Sequence, residues 1–173
     1  MDSAEAAVSY YDGEEFVFRR AFVSRADDVL IVEANAGVEV DLTVHSTDTL
    51  NTNQVKMPEH AVTLTEGEWI YFKAEIDSIE HGAVARVVRG ARTLIICRLY
   101  TEGNSGTKWR EQETYINSLP ADYNELLRRH LPEHSRLFDA CRFHLEDDRY
   151  SKEELNRTLL DAAYDGDLPN ALV

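Results

Sequence analysis

The chain has 173 residues and a formal net charge of −14, with 32 acidic side chains against 18 Lys and Arg. That length can bury a core without disulfides or metals, and two cysteines, Cys97 and Cys141, are too few for a disulfide framework. The charge argues against a surface that wraps nucleic acid, whose phosphates need cations, and no apolar run approaches the ~20 residues that span a bilayer.

Only four of the basic residues are lysines: Lys56, Lys73, Lys108 and Lys152. Acid-rich, Lys-poor composition suits a protein kept soluble in concentrated salt, where self-repulsion is screened. A GC-rich genome, which favours arginine codons, gives the same bias. The start Met1-Asp-Ser-Ala-Glu5 has neither the basic nor the apolar stretch of a signal peptide. The expected location is the cytoplasm, or the inside of a particle assembled there.

In chain order, residues 1–12 are small and acidic, with Val8, Tyr10 and Tyr11 as possible anchors. Glu15 to Val23 and Val29 to Glu33 read as strands. Val38, Val40, Leu42 and Val44 alternate with Glu39, Asp41, Thr43 and His45, the period of two that a strand with one wet face carries. Ser46 to Glu59 is a long polar connection. From Ala61 to Tyr100, runs rich in Val, Ile, Thr and aromatics alternate with Gly-containing turns, as in consecutive antiparallel strands. Leu94 to Cys97 is apolar on both faces, as expected of a central strand covered on both sides.

After Thr107 the pattern changes. Trp109 to Asn117 fits a strand or a short helix. Ser118-Leu119-Pro120 reads as the start of a helix that runs to about His130 and stops at Pro132. Glu133 to about Glu146 carries Leu137, Phe138, Cys141 and Leu145 at helical spacing. Ser151 to Glu154 is a capping box before Leu155, Leu159, Leu160 and Ala163. Strands first and helices last mean α+β: an antiparallel β-sandwich or jelly-roll-like barrel at 14–100, then a small helical subdomain at 108–173 packed on it.

Two clusters hold side chains that could bind a metal. His130, His134, Cys141 and His144 are residue types that zinc accepts, although Pro132 interrupts the first pair and a small thiol on an apolar stripe needs no metal. Glu75, Asp77, Glu80 and His81 gather around one turn and, with His45 or His60, could do acid–base work. The block from Thr65-Glu-Gly67 to His81-Gly82 resembles the strand-turn grammar of the cupin family, which implies a barrel holding a metal through His45, Glu75 and His81. The family's first motif is missing, because Thr43 and Thr47 flank His45 where a second histidine would stand. Neither cluster gives a reason to expect a cofactor.

Arg86, Arg89, Arg92 and Arg98 are the one basic concentration, and could meet a carboxylate-rich surface on a partner or pair within the chain. No phosphate loop, nucleophile elbow or catalytic cysteine context is present. The expected function is therefore non-catalytic: a structural or adaptor subunit, halophilic, contacting like or unlike protein subunits in a larger assembly such as a virus particle. The alternatives are a metal-dependent or small-ligand-binding cupin-like barrel, and an acidic inhibitor that imitates nucleic acid.

Overall fold

The computed structural model describes residues 3–42, 59–140 and 164. Within them, seven strands join one antiparallel sheet: β1 Ala6–Asp12, β2 Glu15–Ser24, β3 Val29–Asn35, β4 Glu59–Glu66, β5 Trp69–Ile76, β6 Ile79–Arg89 and β7 Arg92–Thr101. The order across the sheet is β1-β2-β3-β7-β6-β5-β4. Two helices follow, α1 Ser105–Asn117 and α2 Tyr123–Phe138. The architecture is α+β, with an antiparallel strand core followed by helices, as expected. The residues to Arg136 make one compact unit, and those from Leu137 onward group separately.

The pairing register divides the sheet side chains between two faces. Ile31 stands opposite Ile96, Val84 opposite Arg98 and Tyr71 opposite Val84. These residues and Phe22, Val29 and Leu94 face the helices, where they pack on Ile116, Leu119, Tyr123 and Leu126. Trp109, Gln112, Glu113 and Ile116 fall at spacings of three and four along α1, and Tyr123, Leu126 and His130 do the same along α2. Each helix thus turns one stripe to the sheet. Sheet and helices are two layers around one core.

Several expectations are corrected. Ala6–Asp12 is a strand, not a mere anchor segment. Residues 38–42 are not in a strand, despite the alternation of Val38, Val40 and Leu42. Alternation licenses a strand only where a neighbour offers its hydrogen bonds.

Trp109 to Asn117 is helical, and Ser118 closes that helix instead of opening the next. The cap of α2 is Asp122, whose Oδ1 accepts the Glu125 N–H at 2.7 Å while its carbonyl accepts from Leu126 at 3.1 Å. Asp122 and Glu125 have the spacing of a capping box. Pro132 lies inside α2 rather than ending it. Proline removes one helical hydrogen bond, but the buried stripe carried by Leu126 and His130 outweighs that local cost. His45, the strand end at 43–45, the 46–58 connection, Cys141, His144 and the capping box at 151–154 lie outside the described residues.

Candidate functional site

Three groupings remain to be weighed: a polar seam between sheet and helices, a histidine corner, and the far face of the sheet. The seam includes three of the expected arginines. Arg86 pairs with Glu68 at 3.2 Å and lies over the Trp69 ring at 5.8 Å. Arg98 stacks on Tyr115 at 3.9 Å, donates to Gln112 at 3.1 Å and faces Asp28 at 3.6 Å. Arg92 sits over Phe18 at 4.9 Å, on the same face. Arg89 points the other way and donates to the Val38 carbonyl at 3.0 Å. The basic concentration is thus engaged within the chain.

Arg20, not singled out by sequence, is held more firmly. It binds Glu33 on the neighbouring strand at 2.9 Å and stacks on Tyr123 at 3.8 Å. Tyr71 donates to Glu113 at 2.8 Å, and burial followed by that carboxylate raises its pKa far above the ordinary value. Tyr100 donates to Glu80 at 3.1 Å, and burial together with Glu80 pushes its pKa up to about 12. Both phenols therefore stay protonated and serve as hydrogen-bond donors. The seam joins the layers.

The histidine corner lies where the β2–β3 turn meets α2. Asp27 is buried, accepts from Ser24 at 3.1 Å and pairs with Arg129, while its carbonyl accepts from Tyr115 at 2.9 Å. The Arg25 N–H donates to His130 Nδ1 at 3.1 Å, which leaves the neutral ring's proton on Nε2. His134 stacks on His130 with ring centres 5.2 Å apart. A cleft of about 480 Å³ opens beside them, lined by Ala4, Val23, Ser24, Arg25, Asp28, His130 and His134.

Burial holds the His130 pKa below its ordinary value, and His134 and Arg25 push it the same way. A proton added to Nδ1 would face the Arg25 N–H donor. His130 therefore contributes stability that is fully present above the unfolded-state value of about 6.5 and is lost as pH falls through its lower folded value. Between pH ~7.5 and ~5.5 the wild type is expected to lose more stability than His130→Phe, which keeps the ring packing against Phe22. Urea midpoints measured for both proteins check this, and parallel pH profiles would contradict it.

Of the expected metal residues, the described Glu75 and His81 do not converge. Glu75 is on the helix side of β5, opposite Glu80, whereas His81 faces the other way from β6, opposite Ala74. Among the described residues no group of three or more His, Cys, Asp or Glu is placed to hold a metal. No described helix is long and apolar enough to cross a membrane.

The far face is unlike these. The register places Val8 and Tyr10 of β1, Val17, Ala21 and Val23 of β2, and Leu30 and Val32 of β3 on it. Ile95, Cys97 and Leu99 of β7 continue it. Val23 is paired with Leu30, and Leu30 with Cys97, so the apolar row crosses three strands without a break. Leu99 is 72% exposed, Val23 62% and Leu30 41%. Burial raises the pKa of the Cys97 thiol, in keeping with its place between them. The exposure is confined to this end of the face: farther along it Thr93, Val87 and Ile70 are buried. Sequence pattern hinted at it, since Leu94 to Cys97 is apolar on both sides and the helices cover only Leu94 and Ile96.

No protein-family model matches the chain, and no curated protein does so either.

Proposed function

We propose that this protein is a non-catalytic structural or adaptor subunit that contacts other protein subunits through the far face of its sheet. The observation that carries the reading is the exposed row Val23, Leu30 and Leu99 on that face. Contiguous apolar surface on a folded chain marks a contact site, because leaving it in water costs about 25 cal/mol per Å². The phenols and arginines of the seam are taken up by partners within the chain, which supports a structural role over a catalytic one.

The test is the size of the native particle in extracts of the source cells. A chain of 19.7 kDa is expected to migrate in a much larger complex, and Leu30→Glu with Leu99→Glu is expected to release it as a folded monomer. Wild type that runs as a monomer in every fraction would sink the reading.

A further inference from the structure

We infer that the open edge of β1 takes an added strand from a partner protein, and that this strand is basic, with Lys or Arg seated at the Asp12–Glu15 tip of the hairpin. The direction of the backbone groups comes first. Phe18 donates its N–H to Asn35 Oδ1 at 2.6 Å, and the Phe16 carbonyl accepts from Asn35 Nδ2 at 2.8 Å. Both residues therefore aim these groups toward β3 and away from β1. In an antiparallel pair, two opposed residues either exchange both hydrogen bonds or both face outward. Ser9 is opposed to Phe18 and Tyr11 to Phe16. Ser9 and Tyr11 thus turn N–H and C=O to the open edge, and Ala7 follows by alternation. Main-chain groups at every second residue are what an added strand bonds to.

β1 also lacks the devices that keep such an edge closed. It holds no proline and no lysine, and it pairs with β2 from Ala6 to Asp12 without a register break. The other edge, β4, is interrupted by an irregularity between Glu59 and Val62. Both faces of β1 are exposed. Val8 and Tyr10 lie on the far side, and Tyr11, 71% exposed and in ring contact with Phe16, lies on the helix side. An added strand would cover apolar groups on both faces.

Charge names the occupant. Asp12, Glu14 and Glu15 crowd the tip, and none of their carboxylates has a partner among the described residues. Glu5 flanks the other end and shares Arg20 with Glu33. β1 itself carries no cation; Arg19 and Arg20 belong to β2, opposite Val8 and Ala7. A second copy fits this edge poorly. Paired antiparallel about Ser9, it would set each Glu5 beside the other's Asp12 and Glu14, like charge against like. A basic strand reverses the sign at both ends.

Amide exchange measured by NMR on the purified full-length chain tests this with two probes. One is a peptide of alternating Val and Thr with lysines at both ends; the other has glutamates in their place. In ~0.1 M KCl the lysine peptide is expected to slow exchange at Ser9 and Tyr11 and to bind about tenfold tighter than the glutamate peptide, a gap that shrinks in ~1 M KCl. Ser9→Pro removes an outward N–H and no ladder bond to β2. It should weaken binding about tenfold or more, with circular dichroism unchanged. Should Ser9→Pro fail to fold, Glu14→Lys with Glu15→Lys is the second variant, expected to prefer the glutamate peptide. Leu30→Glu with Leu99→Glu should bind the lysine peptide as wild type does, so the result is separate from that of the far face.

Unchanged exchange at Ser9 and Tyr11 with both peptides overturns the inference, as does equal binding of the two in ~0.1 M KCl. Slowing that grows with protein concentration in the absence of peptide would make a second copy the occupant and overturn the basic partner.

Discussion

Gly82→Ala is expected to cost the fold several kcal/mol, at or beyond the upper end of the ~1–3 kcal/mol typical of overpacking. Gly82 lies in β6 opposite Lys73 of β5 and Tyr100 of β7, so both neighbours crowd the space a methyl group would need. A Cβ there would sit well inside contact distance of the Phe72 carbonyl oxygen and of the Tyr100 ring and hydroxyl. The carbonyl is backbone held in the ladder and cannot rotate away. Tyr100 is itself buried and tied to Glu80. Relief therefore requires the β5–β6 pair to part, which disturbs Tyr71 and Val84 in the core. Gly90→Ala is the control, because nothing but the Arg92 carbonyl, at 3.8 Å, lies near its added methyl. Thermal melts should show Gly82→Ala lower by roughly 6 °C or more at 2–4 °C per kcal/mol, with Gly90→Ala close to wild type. Equal melting points would mean the sheet is looser there than the geometry states.

Leu126→Ala is the second large effect, about 2–5 kcal/mol. Leu126 is fully buried at the middle of the α2 stripe, between Tyr123 and His130, in the cluster with Phe22 and Val29. Truncation leaves a void that the sheet cannot close, since Phe22 is already fixed edge-on against Tyr123 with ring centres 5.1 Å apart. Arg128→Ala, on the exposed side of the same helix, should move the urea midpoint little, within about 0.5 kcal/mol. A midpoint shift for Leu126→Ala no larger than that of Arg128→Ala would contradict the placement of the core.

Most strands from Glu15 onward were legible because they bury residues against the helices and are bounded by turns, although Ala61 to Glu66 of β4 are exposed throughout. Their ends shifted by a residue or two, except that β6 begins at Ile79 where a turn over 77–82 and a strand from Ala83 were expected. Ile76 and Ile79 close on a two-residue turn whose Asp77 and Ser78 both have positive φ, tighter than the longer turn expected after Ile76. The first strand was illegible for a physical reason: every residue of Ala6–Asp12 is exposed, so no burial pattern marks it and only its pairing with β2 makes it a strand. The converse holds at Val38 to Leu42, where alternation is present without ladder partners. The helix boundary was misplaced because Pro120 and Pro132 are strong local signals, while the Asp122–Glu125 cap and the His130 stripe act through tertiary packing.

The arginines were legible as a concentration but not in their pairing. Arg86, Arg92 and Arg98 alternate onto the helix side of β6 and β7, and sequence does not say that Trp69, Phe18 and Tyr115 await them there. The far face was half legible. Apolar residues on both sides of Leu94 to Cys97 signalled two covered faces, and the described fold covers one with its own helices. The other side belongs, on the reading proposed above, to a neighbour.

The rate at which Cys97 is alkylated tests that central claim most directly. Cys97 lies in the exposed row beside Leu30 and Leu99, so any chain docked there shields its thiol. Modification read by mass spectrometry at the Cys97 peptide should be at least several-fold slower in the native complex of the wild type than in Leu30→Glu with Leu99→Glu. Equal rates in the two would contradict the account.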